Sequence, residues 1–307
     1  TKDEKAVNNL INNQVTALAN RSNNPQAVFQ DSLTSTLYPG NPVFRTMTVD
    51  EVKSVNYDRA LELGKQLFGN AKDYTFFFVG NFDEAKILPL IEQYIASLPN
   101  NGKKFKNVET LPVKGEVINK FTKAMENPQD VAVEIWCSEA PYTLRNSVLA
   151  DIAARVINMD YNRNIREKLS AAYYAGADAM ESVKLDGKTM RVGVTGNAMM
   201  NPDKSKDAIP YFYSGLKDAM EQPNLDDLQK VKEILLKQAD VSCKQNGYWM
   251  GVISEYLLHG IDTHTNYKKE VSSVDAKAVS DFLKNVVMKD GNHVEVIMNA
   301  TKAGEAK

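Results

Sequence analysis

The sequence predicts an α+β fold: a mixed or antiparallel sheet of about six strands with helices packed on one face, preceded by a helical segment. Three observations support this prediction. From about residue 70 onward, strand-like runs alternate with helical patterns, about six of each. Asp186-Gly187, a pair favoured in two-residue hairpin turns, separates two of the strand-like runs. The first 68 residues show helical patterns.

The N-terminal residues are predicted to form three helices. Apolar residues recur at helical spacing within Lys2–Ala19, and a second helix is predicted at Pro25–Thr36. Thr48 is followed three residues later by Glu51, which is the signature of a capping box at a helix start. A third helix is predicted at Asp58–Phe68.

The remaining residues supply the strands and most of the helices. The predicted strands are Tyr74–Val79, Val117–Thr122, Val131–Trp136, Ala172–Val183, Thr189–Thr195 and His293–Met298. The predicted helices are Asp83–Leu98, a long helix from Pro141 toward Leu169, and 203–221, 225–244, 248–258 and Ala276–Val287. Pro141 suits a helix start, and Asn224 followed by Asp226 and Asp227 is a good cap with acids in the first turn.

Composition argues against two kinds of partner. The chain has 37 basic and 39 acidic residues and a net charge of −2, so it lacks the positive charge expected of a nucleic-acid-binding protein. No apolar run approaches the ~20 residues that a membrane span needs. The first 20 residues are polar and amphipathic, so no signal peptide is predicted. The chain opens at Thr1 without an initiator Met, so an upstream portion that could carry a targeting signal is expected.

The two cysteines, Cys137 and Cys243, are far apart in sequence and form no Cys-x-x-Cys pair. Cys137 ends a strand-like apolar run and Cys243 lies in a predicted helix, so two free thiols are the simpler interpretation. Spacing alone leaves a disulfide between them open.

The histidines do not form a zinc-peptidase motif. A catalytic zinc takes three protein ligands, and the inverted motif that supplies two of them is His-x-x-Glu-His. None of the three histidines sits in that pattern. The best remaining cluster is Glu255, His259 and His264, but Gly260 is predicted to end the helix before His264. The sequence therefore predicts no metal site in this chain, and it also lacks the glycine-rich phosphate and nucleophile-elbow motifs.

Arg166 and Tyr173 are the remaining candidates for chemistry. Arg166 lies near the end of a predicted helix and Tyr173 opens the following strand, so this junction can direct both side chains to one region. A guanidinium and a phenol both donate hydrogen bonds, and these groups suit a peptide carbonyl and an oxyanion. From chemistry alone, a surface arginine and a tyrosine at the edge of the core remain the simpler interpretation.

A set of ordered motifs resembles the pitrilysin/insulinase family of zinc peptidases, specifically the half that does not carry the metal. The segment 79–83 (Val-Gly-Asn-Phe-Asp) and Leu98-Pro99 look like the unit that starts the later domain of each half, with Asn in place of the commoner Asp. Ile165–Tyr173 is similar to the family's Leu-Arg-x-x-x-x-Leu-Gly-Tyr, with Arg and Tyr at the same separation and Ala in place of Gly. Leu225–Lys232 resembles the helix that follows, and residues 1–68 resemble the end of the preceding domain.

The resemblance implies a function shared between two polypeptide halves. In the family, two halves close around a peptide, the first half holds zinc, and the second contributes the Arg and the Tyr. On this basis Arg166 would bind the substrate backbone and Tyr173 would stabilise the oxyanion, with Tyr174 as a neighbouring substrate-binding phenol. The expected partners are the zinc-bearing N-terminal half and a peptide substrate. Residues 1–68 would be the tail of a preceding domain, and 69–307 a complete C-terminal domain.

Two other functions remain open at this stage. Family members without metal also serve as paired subunits and core proteins, so the chain could be a non-catalytic scaffold. Alternatively it could be a peptide-binding module, in which Ala175, Ala177 and Ala179 would form a close-approach surface, although tight packing beneath a helix explains these alanines as well. The missing N-terminus and the family's bacterial distribution favour the periplasm or cell envelope.

Overall fold

The computed structural model describes residues 2–100 and 105–302 of the chain. Two compact units are distinguished by their internal contacts. One comprises the residues up to Ala27 together with Thr46–Glu109, and the other comprises Val28–Arg45 together with the residues from Thr110 onward. These units do not test the predicted family-domain boundary between residues 68 and 69, which stays a prediction.

The described residues form twelve α-helices and five strands. The helices are α1 Glu4–Asn20, α2 Pro25–Leu37, α3 Val49–Lys53, α4 Tyr57–Phe68, α5 Glu84–Tyr94, α6 Leu144–Tyr161, α7 Pro202–Ala208, α8 Pro210–Glu221, α9 Leu225–Ser242, α10 Asn246–His259, α11 Tyr267–Ser273 and α12 Ala276–Phe282. The strands are β1 Glu116–Met125, β2 Asp130–Pro141, β3 Ala172–Val183, β4 Thr189–Met200 and β5 Asn292–Lys302. Wider π-helical turns continue α6 through Asn162–Lys168 and α12 through Leu283–Val287.

Several local predictions are confirmed. Thr48 and Glu51 form a capping box at the start of α3, and the Asn224 side chain caps α9 by accepting the Asp227 N–H. Gly260, in the left-handed conformation (φ +73°), ends α10. These signals are short-range, so a few residues suffice to determine the structure.

Two of the predicted elements are wrong. Tyr74–Val79 is not part of a sheet, and Phe76 and Phe78 are 42% and 43% exposed. Five strands rather than six are therefore found among the described residues. An apolar aromatic run indicates a preference for burial, but a strand also needs a neighbouring strand to satisfy its backbone groups. Pro141 is the last residue of β2 and does not start a helix; α6 begins at Leu144, where the Thr143 side chain accepts the Asn146 N–H.

The five strands form one mixed sheet in the order β1-β5-β2-β4-β3. β1 pairs with β5 in parallel, and the other three pairs are antiparallel. The predicted hairpin joins β3 to β4, with Gly187 at φ +66°. The Asp186 carboxylate accepts the N–H groups of Lys188 and Thr189, both at 2.8 Å. These hydrogen bonds lower the pKa of Asp186 to about 2.

Helices cover the sheet mainly on one face, as predicted. The larger core lies on this face and contains the buried side chains of Trp136, Tyr161 and Phe212. α6 packs against β3, and Ala175 and Ala177 are buried in this core. The alanines of β3 therefore serve helix packing. The opposite face carries a smaller core, in which buried Phe29 of α2 packs with side chains of β2 and β5 that alternate with those of the first core.

A carboxylate–imidazole pair, formed by buried Glu134 and partly buried His293, joins β2 to β5. The Glu134 carboxylate and His293 Nε2 are 2.6 Å apart, and the His293 ring stacks on Trp136 with centroids 5.1 Å apart. Burial raises the pKa of the Glu134 carboxyl to about 7. The hydrogen bond that the Glu134 carboxylate accepts raises the pKa of His293, and Glu116 on β1 adds to that effect. Glu295 lies opposite Glu134 on β5 and forms an ion pair with Lys120 at 2.7 Å.

We expect this pair to make the chain less stable as pH rises from about 5 to 8. Both folded-state pKa values exceed their unfolded values, so the folded chain binds more protons across this window. The contribution is complete below the unfolded pKa and is lost as pH rises through the folded pKa. The free energy of unfolding should fall by about 1–2 kcal/mol, since one pKa unit corresponds to about 1.4 kcal/mol. Urea unfolding at several pH values measures this loss.

Glu134→Gln should remove more than half of this pH dependence, because the titrating carboxyl is then absent. His264→Gln is the matched control, since His264 is exposed and lies outside the Glu134–His293 pair. A Glu134→Gln profile parallel to that of the wild type would contradict the assignment.

Candidate functional site

Arg166 lies in the π-helical turn that continues α6. The Leu169 N–H donates to the Asn164 carbonyl at 3.1 Å, which closes the wide turn. Ile165 is fully buried in the larger core, whereas Arg166 is exposed. Because buried Ile165 fixes the position of the π-helical turn, the backbone that carries the exposed Arg166 side chain is also fixed. Such wide turns occur frequently at functional sites.

The chain then reverses from helix to strand within three residues. Ser170 adopts a left-handed conformation (φ +46°), the one such non-glycine residue in the described part of the chain. The Ala171 N–H donates to the Ile165 carbonyl at 3.0 Å, and the Ala171 carbonyl accepts the Asn201 N–H at 2.8 Å. A left-handed serine costs on the order of 1 kcal/mol, so this tight reversal is held against local strain.

Tyr173 lies in a β-bulge at the start of β3. Ala172 pairs with Met200 and Tyr174 pairs with Met199, so Tyr173 is an extra residue between them. A bulge changes the direction in which a side chain extends, and bulges are common beside active sites. Tyr173 is 91% exposed.

Arg166 and Tyr173 line the same open groove, whose volume is about 720 Å³. Its other walls are the β1–β2 turn at Pro128-Gln129 and the end of β4 at Met199 and Met200. The expectation that the helix–strand junction directs both side chains to one region is thus met in the geometry. Their roles in binding and catalysis stay predictions.

The neighbouring arginine and tyrosine are placed differently. Arg163, in the same π-helical turn, forms an ion pair with the buried carboxylate of Asp227. By contrast, Arg166 makes no hydrogen bond or ion pair within residues 2–100 and 105–302. Tyr174 is 51% exposed and is not among the described residues that line the groove. Its hydroxyl lies 2.6 Å from the position that a Cβ would occupy at Gly176, so the phenol lies along β3.

Sequence reasoning missed several parts of the groove. Neither Asn201 nor Pro128 is among the predicted site residues, and Met199 lies beyond the end of the predicted strand Thr189–Thr195. The left-handed Ser170 and the bulge at Tyr173 give no sequence signal, because neither Ser nor Tyr is characteristic of those conformations.

The described residues do not fit a zinc site. His293 is paired with Glu134, His264 Nδ1 lies 2.7 Å from the Tyr248 hydroxyl, and His259 packs edge-on against Tyr142. Across the described ranges, no group of three or more His, Cys, Asp or Glu side chains is placed to hold a metal ion.

Both cysteines are free thiols, Cys137 buried and Cys243 partly exposed, so the disulfide alternative is wrong. Burial raises the pKa of the Cys137 thiol.

A comparison with protein families identifies the chain. Residues 54–235, more than half of the chain, match the family model described as the Peptidase M16 inactive domain. The chain belongs to the M16 peptidase family. The resemblance to the pitrilysin/insulinase zinc peptidases is thereby confirmed, as is the assignment to a half without the metal.

Two curated relatives are zinc proteases by name. The zinc protease PQQL-like of Arabidopsis thaliana is 22% identical over 243 residues, which are 75% of this chain and 25% of that protein. The probable zinc protease PqqL of Escherichia coli strain K12 is 28% identical over 170 residues, 53% of this chain and 18% of that protein. The chain thus spans a quarter or less of the length of these relatives.

A solved structure shows the same fold. The periplasmic protease PqqL from Escherichia coli superposes with a TM-score of 0.82 at 18% identity, over 98% of this chain and 33% of that chain. The α+β prediction for this chain is confirmed. Of the helices in the described part of this chain, none has the length and apolar character needed to cross a membrane.

The strain at Ser170 predicts opposite effects for two substitutions there. Ser170→Gly should stabilise the chain by up to about 1 kcal/mol, because glycine adopts the left-handed conformation without steric cost. Ser170→Val should destabilise it by about 1–2 kcal/mol, because a β-branched residue is disfavoured there. Urea unfolding gives both values.

The control for the glycine substitution is Ser35→Gly, in the exposed face of α2. There glycine should destabilise, by about 0.5 kcal/mol, because it is a poorer helix former than serine. Equal effects of glycine at both positions would contradict the strain at Ser170.

Proposed function

We propose that this chain is the C-terminal half of a zinc-dependent endopeptidase that hydrolyses peptides or proteins. It would supply Arg166 and Tyr173 to a zinc-bearing half outside this chain. The observation that carries the proposal is the groove at the helix–strand junction, which both exposed side chains line in a chain of the M16 family.

Arg166 would hold the backbone of the substrate. Its guanidinium is exposed and offers several N–H donors in one plane. Peptide carbonyl oxygens are acceptors, and hydrogen bonds from a charged donor are about twice as strong as neutral ones. The apolar wall formed by Met199 and Met200 suits a substrate side chain next to that carbonyl.

Tyr173 would stabilise the oxyanion of the tetrahedral intermediate. A phenol hydroxyl donates one hydrogen bond, and such a donor is most effective in a site from which water is excluded. At 91% exposure the phenol is in water. The proposal therefore requires the other half to close over the groove, and zinc, which would activate the attacking water, belongs to that half.

The organisation of the parent polypeptide is part of the same proposal. Residues 1–68 would end a preceding family domain, and 69–307 would form the complete C-terminal domain. The E. coli protein with the similar fold is described as periplasmic, which supports a periplasmic or cell-envelope location for this chain.

Peptidase assays on the intact parent polypeptide test the two residues. Tyr173→Phe should lower kcat by ~10²-fold or more with little change in KM, because one lost oxyanion donor costs about that much. Arg166→Ala should raise KM by about tenfold or more, because it removes substrate binding. The isolated 307-residue chain should be inactive and should gain activity when a zinc-bearing half is added.

Matched controls separate these effects from general damage. Tyr213→Phe removes an exposed hydroxyl on α8 that is not part of the groove lining, and should leave both constants unchanged. Tyr174→Phe decides which neighbouring phenol acts, and we expect a smaller effect on kcat than from Tyr173→Phe. Wild-type activity in both the Tyr173→Phe and Arg166→Ala variants would favour the non-catalytic scaffold. Hydrolysis by the metal-stripped chain alone would refute the proposal.

A further inference from the structure

A lysine on α7 holds the turn that separates Arg166 from Tyr173. Lys204 Nζ donates to the Leu169 carbonyl at 2.9 Å and to the Ser170 carbonyl at 3.2 Å. These two carbonyls follow the π-helical turn and precede β3. One ammonium group therefore binds both peptide units at the point where the chain reverses.

The charge on Lys204 suits this position. The last carbonyls of a helix lack intrahelical partners and carry partial negative charge, so a cation there is stabilising. The left-handed backbone of Ser170 is strained, and a strained conformation persists only where contacts with the surrounding structure stabilise it. The turn therefore also requires hydrogen bonds from outside it. A hydrogen bond from a charged donor to each carbonyl meets both needs.

α7 is itself firmly attached to the sheet. The buried Ser205 hydroxyl donates to Asp130 Oδ2 at 2.6 Å, and Asp130 Oδ1 accepts the Ala300 N–H at 2.6 Å. Asp130 directly follows Gln129, which lines the opposite wall of the groove. α7 thus connects to one wall through Ser205 and to the other through Lys204.

Asn201 adds a second link at the start of α7. Its side chain caps the helix by accepting the Asp203 N–H at 3.0 Å, and its own N–H donates to the Ala171 carbonyl at 2.8 Å. The reversal is consequently bound from α7 at three successive carbonyls, those of residues 169, 170 and 171.

We propose that Lys204 is a positioning residue that sets the placement of Tyr173 relative to Arg166. It lies outside the residues that line the groove and acts through the backbone of the turn. The catalytic consequence rests on the proposed function. Removing the ammonium leaves the Asn201 bond as the remaining link from the start of α7 to these three carbonyls, so Tyr173 samples a wider range of positions.

The first test follows the turn directly, in this chain, by amide hydrogen exchange. The Ala171 N–H donates a hydrogen bond to the Ile165 carbonyl. In Lys204→Met this amide should exchange its hydrogen about tenfold faster, because the two hydrogen bonds from the charged Lys204 ammonium are lost. Lys204→Arg should restore much of the protection, because it returns a charged donor. Lys206→Met, an exposed lysine on the same helix, is the matched control and should leave the amide unchanged.

The second test measures kcat and KM of the same variants in the parent polypeptide. Lys204→Met should lower kcat about three- to tenfold with a smaller change in KM, because misplacement of the oxyanion donor acts in the transition state. Lys204→Arg should recover most of the loss. If Lys204 served only the stability of the fold, Lys204→Met would yield less folded enzyme. The kcat per folded molecule would then be the same in Lys204→Met and Lys204→Arg.

The two tests separate the failures. Unchanged Ala171 exchange in Lys204→Met would overturn the positioning role whatever the activity. The positioning role would also be overturned if Lys204→Met sped up Ala171 exchange but kept the wild-type kcat, provided that Tyr173→Phe lowers kcat in the same polypeptide. Wild-type activity in both Tyr173→Phe and Arg166→Ala would instead overturn the proposed function, and the exchange result would still decide whether Lys204 holds the turn.

Discussion

The packing of α6 against the sheet is the constraint on which the groove depends. Nine residues of α6 are buried, and small side chains such as Ala150 and Ala153 allow the helix to approach Ala175 and Ala177 of β3 closely. At the end of the helix, the fully buried Tyr161 hydroxyl donates to the Phe212 carbonyl at 2.6 Å. Because α6 is fixed along its length, the turn that carries Arg166 begins at a defined position.

The irregular backbone is concentrated where this helix meets β3. A π-helical turn, a left-handed serine and a β-bulge occur one after another between residues 162 and 173. The buried helix α6 and the edge strand β3 are joined there by very few residues, so the connection takes an irregular backbone. Each irregularity has a cost that ordinary packing does not require. Their occurrence together, in the segment that carries Arg166 and Tyr173, supports a functional interpretation of these two residues.

The sequence predicts the parts of the fold that depend on neighbouring residues. Asp186-Gly187, the Asn224 cap and the ends of β3 depend on local conformational preferences, and all three are found as predicted. The run Tyr74–Val79 fails because apolar character does not specify a partner strand. In the groove, Arg166 and Tyr173 could be named from spacing and family resemblance. The contribution of Lys204 could not, since it depends on bringing together residues 34 positions apart.

The high exposure of Tyr173 makes its hydroxyl accessible to a ligand and also weakens the hydrogen bonds that it can form in water. A phenol that is 91% exposed competes with water for any oxyanion, and in water a hydrogen bond gains little. The same holds for the exposed guanidinium of Arg166, whose attraction for a carbonyl is weakened by the solvent. A surface that excluded water from the groove would strengthen the hydrogen bonds of both groups. The histidines of this chain are meanwhile engaged with Glu134, Tyr248 and Tyr142. The exposure of both donors therefore supports the proposal that a second surface completes this half-site.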